Sequence, residues 1–382
     1  MMSQRKIVII NQAANYLTIG FANAFALKAD QVTLITGSVH TQGEELSDLV
    51  RVHWINKWQE SPASRKALSY LLATLKMWWL LLTRYRHHEV FFVSVPPMGY
   101  LLNLILPNRF SMVIWDVYPD LFKITGMSER HWVYTIWSFL NKRSFRKAYK
   151  IFTIGEKMAE LLYQYVDSQK VIILPIWSIF QTKQKVPKEA NPFVSQHRLE
   201  KKFIIQYSGN IGLTHNVEVL IDLAVLLEED KDIVVQIIGR GPRKKAMQAM
   251  VQKKSLHNCQ FLPFQSDEMF PYSLSAADIG AVILDEKTSK GSAPSKSYNL
   301  MSYGIPSLYI AAADSQLNVY ARKYQHAICF TRSQLGEAAT AVRKLKSNRQ
   351  AYAEMAKNAE KAAADFKRGN ADRFVAKYFE HP

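Results

Sequence analysis

Residues 203–224, FIIQYSGNIGLTHNVEVLIDLA, combine an apolar strand, a glycine-containing loop and a helix. Apolar, β-branched runs like FIIQYSG (203–209) recur along the chain, with longer amphipathic stretches between them. Strands that are almost continuously apolar and are separated by helices predict a parallel sheet covered on both faces. The alternation occurs once before residue 174 and again after residue 203. We therefore expect an α/β protein with two Rossmann-like domains that face each other across a cleft.

The apolar runs also predict where the individual strands lie. In the first half they predict strands at 6–10, 32–36, 50–55, 90–95, 112–116, 151–154 and 171–175. In the second half they predict strands at 203–209, 234–239, 259–264, 279–284, 307–311 and 326–330. Residues 174–193 contain three prolines and no period, which is typical of an inter-domain linker. The Ala-, Lys- and Glu-rich tail over 333–379 is predicted to be helical throughout.

The composition excludes several classes of protein. Hydrophobic residues make up 48% and charged residues 21% of the 382 residues, which excludes disordered, collagen-like and coiled-coil chains. Two cysteines, Cys259 and Cys329, exclude a disulfide framework and a cysteine-rich zinc site. The first ten residues lack the pattern of a signal peptide. The apolar stretch 67–82 contains Lys76 and is shorter than the ~20 residues that span a bilayer, so we expect a cytoplasmic protein.

The chain is strongly basic, with a net charge of +17. Residues 1–190 have a net charge of +10 and residues 191–382 one of +7. In the first half the basic residues alternate with large apolar ones, as in RKALSYLLATLKMWWLLLTRYR (65–86) and in the stretch that ends in NKRSFRKAYK (141–150). Such helices suit a lipid headgroup layer, where each basic residue contributes ~1 kcal/mol. A core helix with a solvated basic face is the alternative, and no nucleic-acid-binding signature accompanies the charge.

Ligands of parallel α/β sheets bind beyond the carboxyl ends of the strands, so the residues there are candidates for a site. No glycine fingerprint of a dinucleotide fold and no phosphate-binding P-loop is present, which disfavours dehydrogenases and P-loop ATPases. WDVYPDLFKITG (115–126) places Asp116 and Asp120 at the end of a predicted strand. A carboxylate there can orient or deprotonate an acceptor hydroxyl. A helix-capping role for Asp116 is the alternative.

Two glycine loops follow strands in the second half. Gly209 and Gly212 lie between a strand and a helix, whose free N–H groups suit a phosphate, and His215 adds a possible donor. An ordinary turn explains the same glycines. In IIGRGPRKKAM (237–247), Arg240 can pair with a phosphate through two hydrogen bonds. The basic run at 243–245 that follows is interpreted as a solvated face.

DEKTSKGSAPSKSYNLMSYGIP (285–306) is the most specific segment. A Ser-, Gly- and Lys-rich loop ends at Pro294, and a helix is predicted to begin at Ser295 and Lys296. Its free N–H groups, its positive dipole end and the lysine together favour a diphosphate. Ser295, Asn299 and Ser302 are spaced to share one face of that helix. Polar residues that merely face solvent are the alternative.

Taken in order, five segments resemble the donor-binding half of the GT-B glycosyltransferases: YSGNIG, IIGRGP, NCQFLPF, SAADIGAVIL and APSKSYNLMSYGIP. The resemblance is to the large retaining family of bacterial polysaccharide and lipid-linked oligosaccharide enzymes, and within it to the fucosamine-transferase-like branch of O-antigen and capsule enzymes. WDVYPD is similar to a segment in the first half of that branch. The resemblance covers nearly the whole chain and is strongest over 203–311.

The resemblance implies an acceptor-side domain over 1–180, a nucleotide-sugar-binding domain over 181–364, and a last helix that crosses back so that 365–382 pack on the first domain. No metal or cofactor is expected, because helix N-termini and basic side chains stabilise the departing diphosphate. The residues implied for catalysis are Asp116, Lys296 and Asp120. Those implied for donor binding are Gly209, Asn210, Gly212, His215, Arg240, Pro294, Ser295, Lys296 and Asn299.

The chain departs from the family pattern at several of these positions. The family usually has two glutamates separated by seven residues, and Gly291 and Asn299 stand there in this chain. Asn299 can still donate and accept hydrogen bonds, though without charge. Asn210 and His215 replace the Arg and Lys that often follow the Ser-Gly pair. Phosphate contact is then expected from Lys296, from Arg240 in the next loop and from backbone N–H groups.

The resemblance implies a hexosyl- or N-acetylhexosaminyl-type glycosyltransferase of cell-surface polysaccharide synthesis. It would move a sugar from a nucleotide-sugar donor, such as a UDP-sugar, to a membrane-associated, polyprenyl-diphosphate-linked glycan acceptor, with retention of configuration. The basic first domain is expected to hold the protein on anionic lipid at the inner face of the cytoplasmic membrane, and no nucleic acid partner is expected. A nucleotide-sugar epimerase on the same fold and a non-catalytic GT-B partner subunit remain alternatives.

Overall fold

The chain forms two compact units in a computed structural model that describes residues 5–59, 62–181, 185–212, 216–287 and 289–380. The first unit comprises Met1–Ile179 and Arg368–Pro382, and the second comprises Phe180–Lys367. The sequence predicts the division after residue 180 and the return to the first domain at residue 365.

The first unit is a parallel sheet with helices between its strands. In the described residues the strand order is β3-β2-β1-β4-β5-β6-β7, and every pairing is parallel. The order reverses between β1 and β4, which is where sheets of this kind bind ligands. The strands are β1 (Lys6–Ile10), β2 (Gln31–Thr36), β3 (Val50–Trp54), β4 (Glu89–Val93), β5 (Phe110–Ile114), β6 (Lys150–Thr153) and β7 (Val171–Ile173), and the helices are α1 (Tyr16–Ala26), α2 (Ala63–Thr83), α3 (Trp132–Lys147) and α4 (Glu156–Leu162).

Helix α2 is apolar on two faces, only one of which is buried. Ala73, Met77 and Leu80 are fully buried and pack on the sheet in one cluster with residues of β1, β2 and β4. The opposite face exposes large apolar side chains, which we call the apolar stripe of α2: Leu68, Leu71, Leu72, Leu75, Trp78, Trp79 and Leu82. The alternative of a core helix with a solvated basic face describes α2 only in part, because its exposed face carries these apolar side chains besides Lys76. None of the helices in the described ranges combines the length and the hydropathy that crossing a bilayer requires.

The second unit repeats the architecture of the first. In its described residues the strand order is β10-β9-β8-β11-β12-β13, again with parallel pairings throughout. The order reverses between β8 and β11. The strands are β8 (Phe203–Ser208), β9 (Ile233–Ile238), β10 (Cys259–Leu262), β11 (Ile279–Ile283), β12 (Ser307–Ile310) and β13 (Ala327–Phe330), and the helices are α5 (Pro192–His197), α6 (Val219–Leu226), α7 (Lys244–Lys253), α8 (Phe270–Ser275), α9 (Ser295–Ser302), α10 (Gln316–Tyr324), α11 (Leu335–Ser347) and α12 (Arg349–Ala362).

The predicted α/β class and the predicted strands are confirmed, with strand ends that differ by one or two residues. The boundary between the two units lies within 174–193, the predicted inter-domain linker, and α5 begins at the end of that stretch. Asn191 caps that helix by accepting from the N–H groups of Phe193 and Val194, both of which are buried. Asn followed by proline is a common helix start, so the sequence did contain this signal.

The tail is not helical throughout. A short 3₁₀ turn at Ala363–Phe366 and an extended Lys367 separate α12 from the last helix, α13 (Asn370–Phe379). Helix α13 belongs to the first unit and packs on α1, where the ring of Phe374 lies 4.9 Å from that of Phe21. Arg368 joins the same unit through an ion pair with Glu44 at 2.7 Å.

Candidate functional site

The loops after β8 and β9 are held against each other at the carboxyl edge of the second sheet. The N–H of Gly209 donates to the carbonyl of Ile238 at 2.9 Å, and the N–H of Ile211 donates to that of Arg240 at 2.8 Å. A Cβ atom at Gly239 would lie 1.9 Å from the carbonyl oxygen of Gly209. Glycine is thus required at 239, because any side chain would separate the two loops.

Lys296 joins helix α9 to the loop after β8. Its Nζ donates to the Tyr207 hydroxyl at 2.5 Å and lies 3.8 Å from the centroid of the Tyr207 ring. The Tyr207 hydroxyl in turn donates to the carbonyl of Asn210 at 2.6 Å. A Cβ at Gly209 would lie 2.5 Å from Lys296 Cε, so the glycine leaves the space that the lysine occupies. The structure therefore brings three of the predicted residues together and adds Tyr207, which the sequence analysis missed.

The start of α9 presents the other predicted groups beside this lysine. Pro294 is the N-cap residue and is buried, while Ser295 is partly buried at the first helical position. No side chain caps the helix among the described residues, which leaves its first N–H groups suited to an anion. Asn299 lies one turn further along α9.

The charge of Lys296 is sensitive to its surroundings. Desolvation by burial lowers the pKa of the lysine to about 7. Burial also raises the pKa of its partner Tyr207, so the phenol stays neutral and accepts the lysine's hydrogen bond. A bound diphosphate would stabilise the protonated lysine and raise its pKa again.

A small cavity of about 30 Å³ adjoins Lys296 within the second unit. Gln206, Ser208 and Asn299 line its polar side, and Phe270, Leu274 and Leu300 line its apolar side. Gln206 is buried and donates to the Ser273 carbonyl at 2.7 Å, while its Oε1 has no hydrogen-bond partner among the described residues. This oxygen can accept from a ligand hydroxyl. Gln206 also escaped the sequence analysis, because a glutamine inside an apolar strand gives no local signal.

Arg240 is exposed, and its guanidinium lies 5.4 Å from the centroid of the Phe264 ring. The run that follows it is not the solvated face that the sequence predicts. Arg243 pairs with Glu218 at 2.6 Å, and Lys244 Nζ donates at 3.0 Å to the carbonyls of Gly239 and Leu262. These two residues fasten the loop after β9, and of the run only Lys245 is exposed.

The remaining two donor-site candidates add less to this geometry. Gly212 is buried and continues the loop of Asn210, which is itself exposed. His215 lies outside the residues that the structure describes, so the prediction that it adds a donor stays a prediction. Helix α6 begins at Val219, seven residues after Gly212.

The first unit holds Asp116 in the loop after β5. The strand ends at Ile114, so Asp116 lies two residues beyond it rather than directly after it. The side chain is accessible to solvent, yet desolvation by the surrounding protein raises the pKa of the carboxyl to about 6. The charge of Asp116 also contributes to the raised pKa values of Tyr70 and Tyr118, so both phenols lie near it.

A chain of hydrogen bonds fixes the loop that carries Asp116. Trp137 donates to the Tyr100 hydroxyl at 2.9 Å, and that hydroxyl donates to Asn141 Oδ1 at 2.6 Å. Asn141 Nδ2 donates to the carbonyl of Tyr118 at 2.5 Å, and the Tyr118 ring stacks on Trp137. An accessible carboxylate on a fixed, aromatic-rich loop can accept a proton from a hydroxyl.

Asp120 does not match the catalytic role that the sequence predicts for it. Its side chain is buried and accepts from Tyr134 at 2.8 Å and from Tyr165 at 2.6 Å. Lys123 pairs with the same carboxylate at 2.9 Å. Both oxygens are thus bound within the protein, and the group stabilises the first unit instead of meeting a substrate. In the described ranges no group of three or more His, Cys, Asp and Glu side chains is placed to hold a metal ion.

Comparison with known proteins agrees with this fold. Residues 188–362 match the family described as glycosyl transferases group 1. HepE of Anabaena, solved in complex with UDP and glucose, aligns over 98% of this chain and 99% of its own with a TM-score of 0.74 and 14% identity. WaaG, described as a glycosyltransferase involved in lipopolysaccharide biosynthesis, aligns over 98% and 100% with a TM-score of 0.72 and 14% identity. The chain therefore has the GT-B fold, and the match to the glycosyl transferases group 1 family lies within its second unit.

Two curated proteins match parts of the chain in sequence. WcaI of Escherichia coli (strain K12), whose name describes a colanic acid biosynthesis glycosyl transferase, is 31% identical over 163 residues, or 42% of this chain and 40% of that protein. WbjE of Pseudomonas aeruginosa, whose name describes a glycosyltransferase, is 23% identical over 224 residues, or 57% of this chain and 55% of that protein. The matches thus span about half the length of these relatives.

Proposed function

We propose that the chain transfers a sugar from a nucleotide-sugar donor to a membrane-associated glycan acceptor in bacterial polysaccharide synthesis. The observation that carries the donor part is the position of Lys296 at the start of α9. Its Nζ donates a hydrogen bond to the Tyr207 hydroxyl beside the glycine loop. The helix N-terminus and the ammonium together stabilise the negative charge that grows on a departing diphosphate. HepE was solved in complex with UDP and glucose, which supports a UDP-sugar as the donor here.

The transfer breaks the bond between the anomeric carbon and the diphosphate oxygen and forms a bond from that carbon to the acceptor oxygen. Lys296 stabilises the diphosphate as it leaves, with Arg240 and the backbone of 209–212 as further phosphate contacts. Asp116 takes the proton that the acceptor hydroxyl loses, which its raised pKa of about 6 favours near neutral pH. The reaction needs no redox partner. We infer a retained configuration and a hexosyl or N-acetylhexosaminyl group from the family resemblance alone.

The apolar stripe of α2 supports the membrane part of the proposal. Leu71 and Leu75 are more than half exposed, and so is Trp79. Lys76 lies 4.8 Å from the Trp79 ring, so a cation and an aromatic ring are paired on the solvent side of the helix. Helix α3 exposes Trp132, Ile136 and Phe139 in the same way. Exposed aromatic and aliphatic side chains among basic residues suit the headgroup layer in which a polyprenyl-diphosphate acceptor resides.

The experiment that tests the function is a transfer assay with purified protein. The protein is incubated with UDP-, GDP-, ADP-, CMP- and dTDP-sugars, with and without a polyprenyl-diphosphate-linked acceptor. We expect nucleotide release that depends on the acceptor, together with a lipid-linked product heavier by one sugar. If the donor sugar is epimerised in the absence of acceptor, the chain is a nucleotide-sugar epimerase and this proposal is wrong. Failure of every nucleotide to bind would favour a non-catalytic subunit.

A further inference from the structure

An open basic cavity lies at the edge of the first sheet, and Asp116 is not among the residues that line it. It is open, has a volume of about 420 Å³ and lies between edge strand β3 and the turn that follows α2. The side chains that matter for its chemistry are Arg51, His53, Arg84 and His88. All of its lining residues belong to the first unit.

The lining of this cavity is positive. Arg51 and Arg84 are exposed, and among the described residues neither guanidinium has a carboxylate partner. No Asp or Glu is among the residues that line the cavity. Two arginines without carboxylate partners on the same cavity repel each other electrostatically. A bound anion lowers that repulsion.

The walls of the cavity are fixed by Tyr85. This tyrosine is buried, and its hydroxyl lies 3.1 Å from His53 Nδ1. Its ring packs edge-on against both histidines, at 5.8 Å from His53 and 5.1 Å from His88. Asn108 Nδ2 donates at 2.8 Å to the carbonyls of Tyr85 and His88, which holds the turn in place. The basic groups therefore stand on a rigid frame.

His88 gives an independent sign that a ligand belongs here. Both of its ring nitrogens are buried, and neither has a hydrogen-bond partner in the described ranges. Buried polar atoms of folded proteins are nearly always hydrogen-bonded, and the exceptions mark places where something else binds. A neutral imidazole always has one N–H to donate, and His88 lines the cavity, so a ligand oxygen bound beside the ring would supply the missing acceptor.

We propose that this cavity is a second phosphate-binding site, held by Arg51, Arg84 and the two histidines. Guanidinium groups bind phosphate oxygens through paired, charge-assisted hydrogen bonds, and the imidazoles add single donors. The site is separate from the diphosphate site at Lys296 and stands whether or not the chain transfers a sugar.

The phosphate can belong to a lipid headgroup or to a free phosphate compound. Arg84 is the C-cap residue of α2, and the last turns of that helix carry the exposed Trp79 and Leu82 of the apolar stripe. Trp54, on the other wall, is also exposed. Because this cavity adjoins the end of the apolar stripe of α2, we favour a lipid headgroup as the source of the phosphate.

The test compares two double variants of the full chain, each in the Lys296→Ala background so that the donor site contributes nothing. Arg51→Ala/Arg84→Ala removes the two cavity arginines. Lys28→Ala/Arg130→Ala removes two exposed cations of the same unit that do not line the cavity. Binding of inorganic phosphate is measured by calorimetry at constant ionic strength. Binding to vesicles of phosphatidylglycerol and of phosphatidylcholine is measured by sedimentation, and equal melting temperatures verify that all variants are folded.

We expect the cavity variant to lose phosphate affinity at least about tenfold, because charge-assisted hydrogen bonds are lost, while the control keeps it. A parallel loss of binding to phosphatidylglycerol vesicles, beyond the loss in the control, assigns the site to the headgroup. Unchanged vesicle binding assigns it to a free phosphate compound and equally supports the site. Phosphate affinity that is the same in the cavity variant as in the protein with Lys296→Ala alone overturns the proposal.

Discussion

The two units share one architecture but differ in what they place on their surfaces. Each is a parallel sheet whose strand order reverses once, between β1 and β4 or between β8 and β11. The second unit concentrates glycine loops, Lys296 and the start of α9 at the carboxyl edge of its sheet. The first unit exposes large apolar side chains instead. Among the described residues, it holds all of the exposed large apolar side chains except four, which belong to the second unit: Val225, Leu226, Phe264 and Tyr272. One fold thus carries the proposed phosphate-binding edge in one unit and an exposed apolar face in the other.

The largest effect is expected from Gly239→Ala in the second unit. The added Cβ would lie 1.9 Å from the Gly209 carbonyl oxygen, so backbone must move and the two glycine loops separate. We expect a loss of roughly 3 kcal/mol in the free energy of unfolding and the loss of nucleotide binding. Denaturant unfolding measures the first quantity and calorimetry with UDP the second.

Gly336→Ala is the matched control for that substitution. Gly336 lies in α11 and has no atom within 4 Å of an added Cβ. Its replacement is expected to be neutral or to stabilise the protein by up to about 1 kcal/mol, because alanine favours the helix. Equal stability of the two variants would contradict the packing of the loops described for the second unit.

Asp116→Asn tests the acceptor side in the first unit. The carboxylate accepts a proton only when it is ionised, so activity should fall as the pH drops through its pKa of about 6 and be full above it. The substitution should lower turnover about 100-fold and abolish that acid limb, because asparagine accepts no proton. Rates at pH values from 5 to 9 measure both effects.

Asp120→Asn should instead lower stability, since it weakens a buried carboxylate bound by Tyr134, Tyr165 and Lys123. An acid limb that survives in Asp116→Asn would exclude Asp116 as the base.

Leu71→Gln/Leu75→Gln tests whether the apolar stripe of α2 in the first unit binds lipid. These leucines are exposed, so the fold should hold, while binding to anionic vesicles should weaken about tenfold as apolar contact with lipid is lost. Sedimentation with vesicles measures the change. Leu27→Gln/Leu49→Gln is the control, because these leucines of the same unit are even more exposed and lie outside the stripe. Equal weakening in the two pairs would mean that exposure alone, and not the stripe, governs binding.

Lys296→Met should stabilise the second unit while it disables the donor site. The lysine's pKa is lowered to about 7 in the folded protein and is about 10.5 in the unfolded chain. Between these values the unfolded chain binds more protons, so the lysine's destabilising effect is full near pH 7 and fades as the pH rises to 10.5. We expect a gain of roughly 1–2 kcal/mol at pH 7, which is a few degrees in Tm, and a smaller gain at pH 10. A gain that grows with pH would contradict the desolvation of this lysine.

Much of the fold could be predicted from the sequence, since β-branched runs such as IVII (7–10) and IVVQII (233–238) define buried strands without help from the rest of the chain. The start of α9 was predictable for the same local reason, because Pro294 begins a helix and Lys296 follows at once. Tertiary partners were not predictable. Nothing in the sequence places Tyr134 and Tyr165 on Asp120, or Lys244 on the carbonyls of Gly239 and Leu262. Their roles depend on chain segments that only folding brings together.

The packing of α2 could not be predicted from the sequence either. Its sequence is apolar on almost every side, so periodicity alone does not reveal which leucines meet the sheet. Ala73 and Met77 are buried because they face the residues of β1 and β4, whereas Leu71 and Leu75 are exposed because nothing in the first unit covers them. The sequence predicted the charge around this helix and left its packing open.

The most direct test of the donor site is calorimetric binding of UDP to the unsubstituted protein, to Lys296→Ala and to Lys245→Ala. Lys245 is an exposed lysine of α7 and controls for the lost charge. We predict that Lys296→Ala weakens binding at least about tenfold, because a charge-assisted contact to the diphosphate is lost, and that Lys245→Ala binds as the unsubstituted protein does. UDP affinity that is equal in all three proteins would contradict the assignment of the diphosphate site to Lys296 and the start of α9.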